Sequence, residues 1–388
     1  MATDDRGPME RAGDEYDPQI ARLPHPYRVM AAYERQAESA GYKLAGDDFY
    51  TLVLGKPTFK KLVDLLAQKP LNGQVIDQLR KEDPVFAGFV RQTMAAPGAT
   101  HEGNLWWLLD YLRWRTQGRH FFQTTDALDR LLRETDIGEG IPAEWIRPPY
   151  EIQFLEFGET RSSPILLYHE ISKDHLIEGC YVLTGVVPEP LPEHGQRFLE
   201  FVFTGSPLGK ANNTDDCTTS ITLVIPNERA TMLEVLEHSL SKNPDRQGLE
   251  TEEALRTRAA IFHACKILLY LNSDKVVRIP VKERSEMEER LKRLKGGGKA
   301  AKLQRQIPRA YDRIVLGPKI APRSSGEFAE TGRHMPTHWR RGHFRNQPFG
   351  EGRSQRRLLW IEPVLVRAEE AVAADSKPYL IKEPPGVQ

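Results

Sequence analysis

The sequence is poor in cysteine and has no long apolar run. Cys180, Cys217 and Cys265 are its three cysteines among 388 residues, widely spaced and without a CxxC pair. That spacing argues against a disulfide framework or a cysteine zinc site, and it fits a reducing cytoplasm. No stretch approaches the ~18 consecutive apolar residues that a membrane helix needs, so no membrane association is expected. Residues 1–22 are acidic, lack the apolar stretch of a secretory signal, and read as a disordered tail. No dinucleotide fingerprint and no Ser-His-Asp signature is present, and no cofactor is implied. The run Gly296-Gly297-Gly298-Lys299 lacks the second glycine spacing and the Lys-Ser/Thr ending of a phosphate-binding loop, and is expected to be a flexible linker.

Net charge is also lacking: 54 Lys and Arg balance 54 Asp and Glu. The distribution is uneven. Residues 1–274 hold 29 Lys and Arg against 41 Asp and Glu, whereas residues 275–357 hold 22 against 8. A basic module on an acidic body points to a polyanionic partner, RNA or a ribosome, with pairing between the two regions as the plainer alternative.

An apolar content of 39% supplies a core, and the length suits two domains. Residues 23–147 read as helical. Pro26 opens one helix, Thr58 caps another, residues 84–94 are a third, and Leu105, Leu108, Leu109 and Leu112 form the strongest stripe, with Trp106, Trp107, Tyr111 and Trp114 around it. Thr125 precedes a helix with Leu128, Leu131 and Leu132 on one face. Residues 148–274 change pattern. Five short Val-, Ile-, Phe- and Tyr-rich runs (152–157, 164–169, 179–187, 198–204 and 219–225) predict an antiparallel sheet. Helices follow at 228–240 and 252–272, the second expected to bury Leu255, Ala259, Phe262 and Leu269. Residues 275–370 form a basic C-terminal element: a charged helix at 285–295, a possible strand at 313–316, and strands at 338–345 and 357–366. Leu359, Ile361 and Val364 are expected to face a core there. Residues 371–388 read as a loose tail. The class is α+β: a helical N-terminal region, a central antiparallel sheet with packed helices, and a basic C-terminal strand element.

Chemistry concentrates near the C-terminus. His334, His338 and His343 interleave with Arg333, Arg340, Arg341 and Arg345, and with Trp339 and Phe344. In an extended strand Trp339, Arg341, His343 and Arg345 share one face, and His338, Arg340, Gly342 and Phe344 the other. Guanidinium groups for phosphates and flat rings for bases suit single-stranded nucleic acid. Arg353, Arg356 and Arg357 extend the cationic surface. Histidine near neutral pKa beside arginine also suits RNA cleavage, which makes His343, His338 and Arg341 the catalytic candidates. A three-histidine metal site lacks a carboxylate or cysteine nearby, so no metal is expected. A structural turn pairing with the acidic body is the remaining alternative.

The segment His338-Trp339-Arg340-Arg341-Gly342-His343-Phe344, with the turn glycines Gly350 and Gly352 and the closing strand at 357–366, resembles a C-terminal motif of the type V-A anti-CRISPR family of phages and plasmids. Weaker echoes lie at 179–187, at 199–203 and in the apolar helix ending at Leu271. The resemblance implies a counter-defence protein that recognises the nascent chain of a host effector nuclease and promotes decay of its mRNA. Its implied partners are a nascent polypeptide or host nuclease, and RNA or the ribosome. A ribosome-associated regulator without catalysis, a metal-independent ribonuclease and a structural protein of a mobile element stay open beside it.

Overall fold

The structure, a computed structural model, describes residues 23–28, 81, 110–111, 113–115, 117–138, 140–157, 166–169, 173–187, 193–207, 217–241, 252–307, 310–317 and 338–366. Most of the expected N-terminal helices, the tails, and the stretch holding Arg333 and His334 lie outside these residues. Within the expected helical region 23–147 the backbone is helical at 25–28, Lys81, 110–111, 113–115 and 126–133, but residues 121–124 and 135–136 are strands, which corrects the all-helical expectation.

In chain order the elements are β1 (Phe121–Thr124), α1 (Asp126–Arg133), β2 (Thr135–Asp136), β3 (Ile152–Glu156), β4 (Leu166–His169), β5 (Lys173–Val186), β6 (Arg197–Pro207) and β7 (Cys217–Ile225). Then follow α2 (Met232–Ser241), α3 (Glu252–Leu271), β8 (Arg278–Lys282), α4 (Glu283–Lys292), α5 (Gly298–Gln306) and β9 (Asp312–Leu316). The last strands are β10 (His338–Arg340), β11 (Gly342–Phe349), β12 (Gln355–Ile361) and β13 (Val364–Val366).

The main sheet has the order β7-β6-β5-β3-β1-β9-β8, with β4 also paired to β5. The five strands read from sequence pair antiparallel with one another. Short β1, not foreseen, inserts between β3 and β9 and is parallel to both. The fold is α+β, with one parallel stretch in its sheet.

Both faces of this sheet are covered, and strand alternation decides what each receives. Phe122, Leu155, Cys180, Val182, Leu199 and Phe201 join one core with α1, α2 and α3. Phe121, Phe154, Tyr181, Leu183 and Val202 turn to the opposite core, where Tyr27, Tyr111 and Trp114 pack. Trp114 Nε1 donates to the His120 carbonyl at 2.8 Å, which satisfies the buried indole.

Thr125 caps α1 as its sequence predicts, accepting from Leu128 N at 3.1 Å, and Leu128, Leu131 and Leu132 are buried. Helix α2 starts later than expected, at a capping box: Thr231 N donates to Glu234 Oε2 at 2.6 Å and Glu234 N to Thr231 Oγ1 at 3.3 Å. Upstream, Glu228 instead clamps Arg197 through two bonds of 2.8 and 2.9 Å. Helix α3 buries Ala260, Ile261, Ala264, Cys265, Leu268 and Leu269, whereas Ala259 is exposed and Phe262 half-buried. Leu269 is buried as expected and Ala259 is not, and the side chain of Leu255 lies outside the described residues; the second half of α3 is buried around most of its circumference, as in a helix sunk into a core. His263 Nε2 lies 3.3 Å from Asp129 Oδ1, tying α3 to α1, and its ring meets Phe157 edge-on.

Candidate nucleic-acid interface

The C-terminal strands form a bent antiparallel hairpin. β11 and β12 pair from His343↔Ile361 to Phe349↔Gln355, and β10 and β13 pair from His338↔Val366 to Arg340↔Val364. The stretch 338–345, expected as one strand, breaks at Arg341 and passes from one small sheet to another. Gly350 (φ 80) and Gly352 (φ 61) make the turn, and Arg353 beside them also adopts a left-handed φ of 56.

One side of the hairpin is anchored. β11 pairs parallel with β2, and Gly342 N donates to the Glu134 carbonyl at 2.8 Å. Gly342 is required by close approach: a Cβ there would lie 2.7 Å from Pro363 Cδ and from Thr135 Oγ1. Inward-facing Phe344, Leu358 and Trp360 enter the main core. Trp360 meets Tyr270 of α3 edge-on at 5.0 Å, and its Nε1 donates to Thr135 Oγ1 at 3.3 Å. Trp145 Nε1 reaches Asn346 Oδ1 at 3.3 Å.

Two expectations are corrected here. Phe344, expected to stack on a base, is only 2% exposed, because alternation along β11 turns it inward with Gly342. On β12 the core residues are Leu358 and Trp360; Leu359 and Ile361 are half-buried on the outer side, and Val364 is 39% exposed. A run with apolar residues on both faces does not reveal its own phase.

The outer side is basic and open. His343 and Arg345 project from β11, with Arg357 on β12; Arg340, Arg341 and Arg353 are also exposed, whereas Arg356, exposed too, alternates onto the opposite face of β12 with Leu358 and Trp360. Arg357 lies over the Phe349 ring, 5.5 Å from its centroid, and Phe349 is 37% exposed. Sequence reading missed this platform; carrying the period-two alternation of β11 on to Phe349 would have found it. Arg341 Nη1 lies 3.4 Å from Asp136 Oδ1, an ion pair open to solvent. Burial pulls the Lys266 ammonium below its usual range, with Asp136 and Glu134 opposing that shift. Backbones of His338 and Trp339 belong to β10, while their side chains lie outside the described residues. Among the described residues, no group of three or more His, Cys, Asp or Glu is placed to hold a metal ion. None of their helices is long and apolar enough to cross a membrane.

A two-faced sheet with a basic hairpin wedged against its central helix defines the molecule. Residues 122–368 match the AcrVA2-like family, the anti-CRISPR type V subtype A2 family, and the chain belongs to it. That match runs from β1 to just beyond β13. A crystal structure of AcrVA2 is similar, with a TM-score of 0.44 and 14% identity, over 89% of this chain and 99% of that one. Comparison with curated proteins finds no match.

Proposed function

We propose that this anti-CRISPR family member lowers expression of a host effector nuclease by engaging its nascent chain and promoting decay of its mRNA, and that the outer face of the β11–β12 hairpin contacts the RNA. The observation carrying this reading is the segregation along β11. Gly342 and Phe344 are buried, while His343 and Arg345 stand exposed beside Arg357 and the ring of Phe349. Guanidinium groups bind phosphates, and the exposed ring offers a base a flat surface. The acidic stretch of residues 1–274 is left for a peptide.

The test expresses the protein in cells carrying the effector gene with its natural 5′ coding sequence, or with that sequence replaced by one encoding an unrelated peptide. Effector mRNA should fall only in the first case, and the double variant Arg345→Ala/Arg357→Ala should restore it. An unchanged mRNA level in cells where effector activity is lost would reject the reading.

A further inference from the structure

Helices α4 and α5 form a second cationic feature that the β-hairpin does not explain. No residue of α4 is buried, and α5 buries only Ala300 and Leu303. At the free end of α4, Arg290, Lys292, Arg293 and Lys295 are all exposed. Along α5, Lys299, Lys302 and Arg305 are exposed at three-residue spacing. Residues 290–305 contain no Asp or Glu. Among the described residues, the ion pair in this tip is Lys292 Nζ to Glu289 Oε1 at 2.7 Å.

Local electrostatics run against folding here. A helix N-terminus favours negative charge, yet the first turn of α5 has no acid and carries Lys299, and its N-cap Gly297 supplies no side-chain cap. Helix α4 has acids Glu283 and Glu286 in its first turn, so the unopposed charge belongs to the tip rather than to the whole hairpin. Gly296 and Gly297 turn the chain with φ 96 and 89, and a Cβ at either would meet nothing within 4 Å. The turn therefore offers bare backbone in open space, where a partner can come close.

We infer that the tip of the α4–α5 hairpin docks on the phosphate backbone of double-helical RNA without reading its sequence. The inference rests on the proposed RNA-facing function. Single strands are held through stacked rings, and residues 290–305 have no aromatic residue. A protein interface needs an apolar or aromatic centre, and the exposed large apolar side chain of this tip is Leu294 alone. Duplex RNA is recognised by backbone and shape, and the cations clustered from two successive helices around one turn meet that requirement.

The experiment measures binding of the full chain to a blunt RNA duplex of about 20 base pairs, longer than the ~16 that a double-stranded RNA module spans. Fluorescence anisotropy is followed from about 50 to about 200 mM KCl. The variant Lys295→Gln/Lys299→Gln/Lys302→Gln should take about 2–3 units off the salt slope and lower affinity about tenfold at about 100 mM salt, with an unchanged circular dichroism spectrum. The Lys→Arg triple at the same positions should bind like the parent. An unchanged slope and affinity in the Gln triple overturns the inference, as does equal affinity for a DNA duplex or stronger binding of poly-glutamate. The two readings separate cleanly. If effector mRNA never falls in cells but the Gln triple still loses duplex binding, only the function proposal fails. If Arg345→Ala/Arg357→Ala removes duplex binding and the Gln triple does not, only this inference fails.

Discussion

The rings of Phe344 and Trp360 stack across β11 and β12, with centroids 6.4 Å apart and planes inclined by 23°. A residue of the basic motif is thereby a wedge, and the arginines and histidine around it are held by what it grips. Phe344→Ala should cost about 3–5 kcal/mol of folding stability, the usual range for a buried aromatic. Urea unfolding monitored by tryptophan fluorescence measures it, and a loss below about 1 kcal/mol would contradict the burial.

The cations of the outer face should behave as phosphate contacts. Arg345→Ala and Arg357→Ala should each flatten the salt dependence of RNA binding by about one unit, with little change in sequence preference. Arg341 should behave likewise, because an exposed ion pair is worth only about 0–1 kcal/mol and its carboxylate is readily exchanged for a phosphate. Asp136→Asn should then strengthen binding, since the acid beside Arg341 is gone. Weaker binding by that variant would count against phosphate contact at Arg341.

Cleavage is a separate question. His343 stands in register with Asp136 on β2, so an imidazole and a carboxylate neighbour each other at the strand edge. The carboxylate, however, faces Arg341, and the pair sits on an open sheet surface rather than in a cleft. Purified protein should leave naked RNA intact, and His343→Ala should change binding only. Metal-independent turnover that co-purifies with the protein and drops about 10²–10⁴-fold in His343→Ala would promote the ribonuclease reading instead.

Stability should depend on pH through the second core. Burial, helped by nearby Glu178, pushes the Glu156 carboxyl up to about 7, and Arg313 and Arg28 only partly oppose this. Burial pushes the carboxyls of Asp110 and Glu200 up as well. A raised folded-state pKa means stability is fully present below the unfolded value near 4.5 and is lost as pH rises through about 7. The protein should therefore be more stable at about pH 5 than at about pH 8. Glu156→Gln should shrink that difference, by on the order of 2 kcal/mol. Thermal unfolding of both proteins at the two pH values decides it; equal pH dependence would refute the assignment to Glu156.

What was legible in the sequence follows from the physics of each element. Thr125 with Leu128, Leu131 and Leu132 is a local signal, complete within one helix, and it held. The alternating runs of β3, β5, β6 and β7 were long enough to declare themselves. Four-residue β1 was not: Phe121-Phe122-Gln123-Thr124 is too short for a period and is defined by neighbours far along the chain. The basic hairpin and its Gly350/Gly352 turn were visible, but its bend at Arg341 was not, because the bend comes from pairing with β2 and β13. Composition also misplaced Phe344. Arginine on both sides suggested two wet faces, whereas the Tyr270 and Trp360 rings that dry one of them lie outside any local window.

The bond from Trp360 to Thr135 joins residues 225 apart in sequence. During synthesis β2 emerges long before the strand that completes its sheet. At about 5–20 residues per second, the ribosome needs roughly 11–45 seconds to deliver Trp360 after Thr135. Until then Phe344 lacks the ring it stacks on and β11 lacks its partner β12, and β1 waits in the same way for β9. The cationic face thus forms only after β11 and β12 have both been made. That order of assembly is set by topology alone.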